Sequence, residues 1–166
     1  MPALIGAVVL LFTYKKFKLT PLLYILILIH CAILMLGGHF TYAEVPLPNL
    51  FGSLFSEGRN NFDKIGHFAQ GFVPAIIARE ILVRKNVVNI KKWLNFIVIT
   101  ICLSFSALYE LIEWLVALLS GEGADAFLGT QGYVWDTQTD MFMALVGSVV
   151  AVLTLSKLHD KQLKNV

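Results

Sequence analysis

The sequence predicts an all-α membrane protein in which five apolar helices cross the bilayer as one bundle, and three observations support this fold. Hydrophobic residues make up 57% of the 166 residues and charged residues only 14%, which is too apolar for a soluble domain with a charged surface. Apolar stretches of helix length alternate with polar segments along the chain. The few ionisable residues inside those stretches recur at helical spacing. We therefore expect one integral membrane domain over residues 1–166.

The first apolar stretch, residues 1–13, is short for a membrane span. As a helix it reaches only about 20 Å, against a hydrocarbon core of about 30 Å. Either neighbouring helices support it, or the native chain begins earlier and has six spans. The later stretches are longer, and they are predicted to span at residues 21–38, 62–83, 93–119 and 136–155. Prolines and glycines in the longer connectors disfavour continuous helix there.

The orientation follows from the basic residues, which favour the cytoplasmic side when they lie in short loops. They fall on alternate loops and in the tail: Lys15, Lys16, Lys18, Arg84, Lys85, Lys91, Lys92, Lys157, Lys161 and Lys164. One topology satisfies all of them, with the N-terminus outside and the C-terminus in the cytoplasm. At the cytoplasmic end of the third span, Glu80 and Arg84 are interpreted as an i, i+4 pair with its charges at the membrane surface.

Polar side chains in the third span are the starting point for a site. Asp63, His67 and Gln70 stand at i, i+4 and i+7, so a helix places them on one face near its outer end. Ionisable groups on a helix in lipid turn toward the protein interior or a water-filled cavity. This face is therefore expected to point into the bundle.

Two further helices repeat the pattern at the same outer end. Glu110 and Glu113 follow Ser106 at i+4 and i+7 in the fourth span, and Asp136 and Asp140 stand at i and i+4 in the fifth. Carboxylates gathered in a low dielectric cannot all stay ionised without a counter-cation. The repulsion between these carboxylates would be reduced by a bound metal, by shared protons, or by pairing with Lys64 or Arg59.

The candidate catalytic residues are Asp63, His67, Glu110, Glu113, Asp136 and Asp140. For a metal, the candidate ligands are His67, Glu110, Glu113 and Asp140. Carboxylate oxygens with one imidazole suit Zn, Mn or Mg. Structural explanations stay open: Asp63 and Asp136 as acids at helix N-termini, Glu113 facing headgroup water, and the others as hydrogen-bonded links between helices.

Four segments give the chain a resemblance to a known family. They are residues 37–46 (GGHFTYAEVP), 59–71 (RNNFDKIGHFAQG), 110–114 (ELIEW) and 127–141 (FLGTQGYVWDTQTDM). The chain resembles the YjdF family of uncharacterised bacterial inner-membrane proteins, and more distantly the VanZ-like group. The resemblance implies a location in the bacterial inner membrane and no settled reaction. Further candidates around the site are Gln70, His39, Tyr42, Glu44 and Gln131.

Three functions are compatible with these residues. The first is a membrane-embedded enzyme, with a divalent metal as candidate cofactor, that acts on an envelope lipid or lipid-linked precursor. The second is a small proton- or cation-coupled carrier, in which the same carboxylates bind and release the ion. The third is a non-catalytic partner of another membrane protein. The bilayer is the expected partner of the chain, and no nucleic acid is expected.

Overall fold

A computed structural model of the chain describes residues 2–40, 42, 45–46, 61–120 and 134–166. Within these residues the protein is helical, with five helices: α1 Pro2–Thr13, α2 Pro21–His39, α3 Phe62–Arg84, α4 Lys91–Ser120 and α5 Asp136–Leu163. The helices match the five predicted stretches closely. The largest difference is the end of α5, which continues two turns beyond residue 155.

Helix α3 lies at the centre of the bundle. It packs most extensively against α5, and also against α4 and α2, whereas α1 contacts α2 alone among the described helices. Because α3 is surrounded, its polar residues Lys64, Arg79 and Glu80 are buried inside the protein. The apolar side chains that face outward are on the surrounding helices, as for Phe105 and Trp114 of α4, each 60% exposed.

Three of the described helices are long and apolar enough to cross a membrane, namely α2, α4 from Lys92 to Leu119, and α5. Helix α1 is apolar but has only 12 residues. Helix α3 has 23 residues, about 34 Å, which is enough to cross, but its composition is more polar. Length and composition thus support three of the five predicted spans.

Two glycines allow α3 and α5 to touch through their backbones. A methyl group on Gly71 would overlap the carbonyl oxygen of Ala144, and one on Gly147 would overlap the carbonyl oxygen of Phe68. Small residues at such crossings are the usual means by which membrane helices approach closely. These contacts fix how α5 is rotated and shifted against α3, and therefore which side chains meet at either end.

An apolar core separates two polar clusters at opposite ends of the bundle. The core comprises Leu19, Leu23, Leu26, Val73, Ala75, Ile76, Leu94, Val98, Cys102, Ala151 and Val152. We call the end with Lys64, near the start of α3, the Lys64 end. The other, near the end of α3, is the Glu80 end.

The carboxylate of Glu80 is fully buried at the Glu80 end, where it caps another helix. The backbone N–H and the hydroxyl of Thr20, which precedes α2, donate to it at 3.2 and 2.8 Å. Arg84 donates to its other side at 2.8 Å. The pair predicted from the sequence is therefore present, but Glu80 is 0% exposed and binds the positive end of α2.

His159 extends this cluster onto α5. Its Nε2 lies 3.0 Å from Glu80 Oε2, and Arg79 donates to its Nδ1 at 2.9 Å. A guanidinium cannot accept a hydrogen bond, so Nδ1 is the acceptor and the neutral imidazole donates from Nε2. One turn on, Gln162 accepts the N–H of Leu22 at 2.9 Å. These contacts explain why α5 continues past residue 155.

Candidate functional site

Three helices bring their polar residues together at the Lys64 end. The first turns of α3 supply Lys64 and His67, the second half of α4 supplies Glu110, and the first turns of α5 supply Asp136 and Asp140. Within each helix the spacing of three or four residues puts the side chains on one face. All five are mostly buried, with side-chain exposures between 1% for Lys64 and 12% for His67.

The ammonium of Lys64 lies among three carboxylates. Its Nζ donates to Asp136 Oδ1 at 2.6 Å and to Asp140 Oδ1 at 2.8 Å. The Oδ2 of Asp63 is 3.6 Å away. A buried ammonium needs such partners to offset its lost hydration. Pairing with Lys64 was one of the three ways that the sequence offered to reduce the repulsion between the acids.

The imidazole of His67 lies between two carboxylates. Its Nδ1 is 3.8 Å from Glu110 Oε1, and its Nε2 is 3.7 Å from Asp140 Oδ1. Gln70 stands one turn along α3 on the same face as His67. Since Asp140 Oδ1 also binds Lys64, this one oxygen links the lysine and histidine parts of the site.

Among the described residues, three buried polar atoms at this end have no hydrogen-bond partner: His67 Nδ1, Glu110 Oε1 and Ser106 Oγ. Ser106 is one turn before Glu110 on the same buried face of α4, and it is 0% exposed. Leaving such a group unsatisfied costs about 1–3 kcal/mol each. Unsatisfied atoms beside an imidazole and a carboxylate indicate a place for a polar guest.

The residues meet the requirements of a metal site in donor type and spacing. One ligand atom each from His67, Glu110 and Asp140 lie within 4.8 Å of one another, and the same holds for Asp63, Asp136 and Asp140. In the second group Lys64 is already bound to the acids. The first group, with its unsatisfied imidazole and carboxylate atoms, therefore fits a divalent cation better.

Glu113 belongs to neither group of candidate metal ligands among the described residues. It stands one turn after Tyr109 on α4. Tyr109 packs edge-on against His67, with ring centroids 6.1 Å apart. Glu113 therefore lies beside the wall of the site.

Tyr42, a predicted wall residue, lies near Gly66 of α3 and Glu113 of α4. Its half-buried ring packs against the backbone of Gly37 and lies 6.0 Å from the ring of Phe62. Its backbone adopts a left-handed conformation, with φ of 55°. Burial, and then the negative charge of Glu113, raise the pKa of the Tyr42 phenol above its ordinary value.

Of the other predicted wall residues, the structure describes only His39. His39 is exposed and lines a groove of about 840 Å³ between α1 and α2. Glu44 and Gln131 lie outside the described residues, as does most of the connector at 120–135.

Sequence reasoning missed the central position of Lys64 and overlooked Ser106 as an unsatisfied group. Lys64 is off the face that carries Asp63 and His67, but its long side chain reaches α5. A signal was available, because Lys64 is the single lysine or arginine within the segment 61–71. A lone base beside several buried acids is expected to pair with them.

Comparison with known proteins supports the family expected from the sequence. Residues 1–161 match a family described as predicted membrane proteins, DUF2238. The chain is 51% identical over 163 residues to the inner membrane protein YjdF of Escherichia coli (strain K12), covering 98% of this chain and 78% of that protein. No solved structure matches significantly. With nearly the whole chain matched, and half of its residues shared with that relative, the protein belongs to the DUF2238 family of predicted membrane proteins.

Proposed function

We propose that the protein is a membrane-embedded enzyme that acts on an envelope lipid or lipid-linked precursor, with a divalent cation bound by His67, Glu110 and Asp140. The observation that carries the proposal is the pair of unsatisfied buried atoms, His67 Nδ1 and Glu110 Oε1, within a group that has metal-ligand spacing. Zn, Mn and Mg suit this donor set. Such a cation, when bound, supplies Lewis acidity to a phosphoryl or carbonyl oxygen.

The residues of the chain itself support acid–base chemistry. An imidazole that lies within 3.8 Å of one carboxylate and 3.7 Å of another can take up a proton and pass it on after a small movement. Lys64 orients Asp140 through its 2.8 Å hydrogen bond. In this proposal His67, Glu110 and Asp140 hold the cation, and in the cation-free protein His67 can exchange protons with the two carboxylates.

The surroundings of the site suit a lipid substrate. Tyr109, in contact with His67, is 43% exposed, and Leu108 and Ile112 beside it are exposed as well. A headgroup could therefore reach the site sideways while its chains stay in the bilayer. The proposal includes all five helices as spans, since α3 can cross while enclosed by its neighbours, and it includes a cytoplasmic C-terminus.

The separation of the two polar clusters by an apolar core favours an enzyme over a carrier. A carrier must open its site to both sides in turn, typically by moving one repeat against another. Here Gly71 and Gly147 join α3 and α5 through backbone contacts, and the apolar core lies between the two polar ends. A site that apolar residues separate from the other end of the bundle fits catalysis on a lipid better than transport.

The test measures metal content and lipid turnover of detergent-purified protein. Wild type is compared with His67→Ala, Asp140→Asn and the matched control His39→Ala, whose histidine is exposed and away from the site. We expect near-stoichiometric metal in wild type and control, and its loss in the other two while they remain monodisperse. Turnover of envelope lipids, followed by mass spectrometry, should fall with the metal. Wild type with neither metal nor turnover would refute the proposal.

A proton- or cation-coupled carrier is the second candidate, favoured by the position of His67 between two carboxylates. Chains of acids and histidine form proton relays in transporters. In proteoliposomes, a carrier would give ion flux that Glu110→Gln and Asp140→Asn abolish. Flux that persists in both variants would exclude these residues as its coupling element.

A further inference from the structure

We infer that the ammonium of Lys64 occupies a second cation position, so that Lys64 limits the site to one divalent ion and acts as its positioning residue. The inference rests on the proposed function for the first position, at His67, Glu110 and Asp140. The remaining acids then serve to bind the ammonium. Asp63, Asp136 and Asp140 form the second group of residues with metal-ligand spacing, and Lys64 lies at its centre.

The geometry around Lys64 resembles the coordination of an ion. Two carboxylate oxygens lie 2.6 and 2.8 Å from Nζ, and a third lies at 3.6 Å. Calcium binds carboxylate oxygens at about 2.3–2.6 Å. The two nearer oxygens would need to move by only a few tenths of an ångström to bind a metal ion here, and the oxygen of Asp63 by about 1 Å. The Lys64 side chain is 1% exposed, so the pocket is closed to bulk water.

Asp140 connects the two positions. Its Oδ1 is 2.8 Å from Lys64 Nζ and 3.7 Å from His67 Nε2, so it belongs to both groups. A carboxylate between two adjacent cations is the arrangement of two-metal sites, in which the ions lie about 3.5–4 Å apart. Lys64 thus takes the place of one metal ion and supplies a single positive charge there. It also holds Asp140 in position for the ion at the first position.

The two cation positions differ in whether their buried polar atoms have hydrogen-bond partners. Glu110 Oε1 and His67 Nδ1 lack hydrogen-bond partners, and both belong to the first group. The acids of the second group have Lys64. A polar guest is therefore expected at the first position, and removing the ammonium should create the need for a second.

The test counts bound Mn²⁺ per chain by EPR and elemental analysis after dialysis, and compares wild type with Lys64→Gln. We expect one ion in wild type and two in Lys64→Gln, with the variant's thermal unfolding temperature raised by Mn²⁺ more than that of wild type. Lys64→Arg, which keeps the charge, should bind one ion. Lys161→Gln, at an exposed lysine, controls for the loss of a charge elsewhere.

A second variant tests the inference if Lys64→Gln fails to fold. That substitution leaves three neighbouring acids without their lysine. Lys64→Gln with Asp63→Asn removes the most exposed of the three acids, at 18%, and keeps the two that contact Nζ. It should still bind the second ion, and adding Asp136→Asn should abolish that binding.

The outcomes distinguish this inference from the proposed function. No ion in wild type but one in Lys64→Gln would support the Lys64 position and refute the metal at His67. One ion in both proteins would refute the inference and leave the metal at His67 intact. No ion in either protein, both being folded, would refute both.

Discussion

The α carbon of Gly71 faces the backbone carbonyl of Ala144 so closely that a methyl group on Gly71 would overlap the carbonyl oxygen. Because the atoms in the way are backbone, no side-chain rotation can relieve the overlap. The contact sets the register between α3 and α5, which carry Lys64 and its two partner acids Asp136 and Asp140.

Gly71→Ala should therefore destabilise the protein by about 1–3 kcal/mol or more, since α3 and α5 must move apart. Gly38→Ala is the matched control, because Gly38 is also helical and has nothing within 4 Å of an added methyl group. The control should be neutral or more stable by up to about 1 kcal/mol. Thermal unfolding in detergent measures both. Equal effects of the two substitutions would contradict the backbone contact.

The two buried serines should respond in opposite ways to replacement by alanine. Ser106 Oγ is buried without a partner, so Ser106→Ala should stabilise the cation-free protein by about 1 kcal/mol. Ser148 donates to the carbonyl of Leu145 at 2.8 Å, so Ser148→Ala should be destabilising by a similar amount. Denaturant titration checks the signs. A loss of stability in Ser106→Ala would mean that its hydroxyl is satisfied in the folded protein.

Glu80 and Asp160 provide a comparison at the Glu80 end. Both bind an arginine, but Glu80 is 0% exposed and Asp160 is 42% exposed. Glu80→Gln should cost about 3–5 kcal/mol, because it leaves buried donors and a charge without their partner. Asp160→Asn should cost less, about 1 kcal/mol, because Asp160 is 42% exposed and the asparagine oxygen can still accept a hydrogen bond from the buried Arg79. The unfolding temperatures of the two variants, measured side by side, test this prediction. A small loss of stability in Glu80→Gln would show that the capping of α2 is dispensable.

Residues Lys85 and Trp135 should lie on opposite sides of the membrane. Both are exposed, Lys85 just after α3 and Trp135 just before α5. In a background with Cys31 and Cys102 replaced by alanine, Trp135→Cys should react with an impermeant maleimide on intact spheroplasts. Lys85→Cys should react only after lysis, as the positive-inside rule expects. The reverse pattern would invert the topology, and labelling of both would mean that α4, which lies between the two positions, does not span.

Much of the fold could be predicted from the sequence because helical spacing is a local property. The i, i+4 placement of Glu110 after Ser106, or of Asp140 after Asp136, depends only on their own helix. Their convergence at one end followed from alternating the direction of successive spans. The structure brings His67, Glu110 and Asp140 together as that reasoning expected.

The pairings between helices could not be predicted in the same way. Which acid meets Lys64 depends on the rotation of α5, which backbone contacts at Gly71 and Gly147 determine. Likewise, His159 stands in a basic, polar tail in the sequence, yet it is 0% exposed because Glu80 and Arg79 lie opposite it. Spacing within one helix carries no information about such partners.

The apolar core between the two ends has an electrical consequence. A membrane potential falls mainly across the layer of lowest dielectric, and it acts with about 2.3 kcal/mol per charge per 100 mV on a charge that crosses that layer. An ion or proton that reaches Lys64 and His67 from their own end stops before Val73, Ile76 and Ala151. Occupancy of the site should therefore follow the composition of the solution on that side and respond little to voltage.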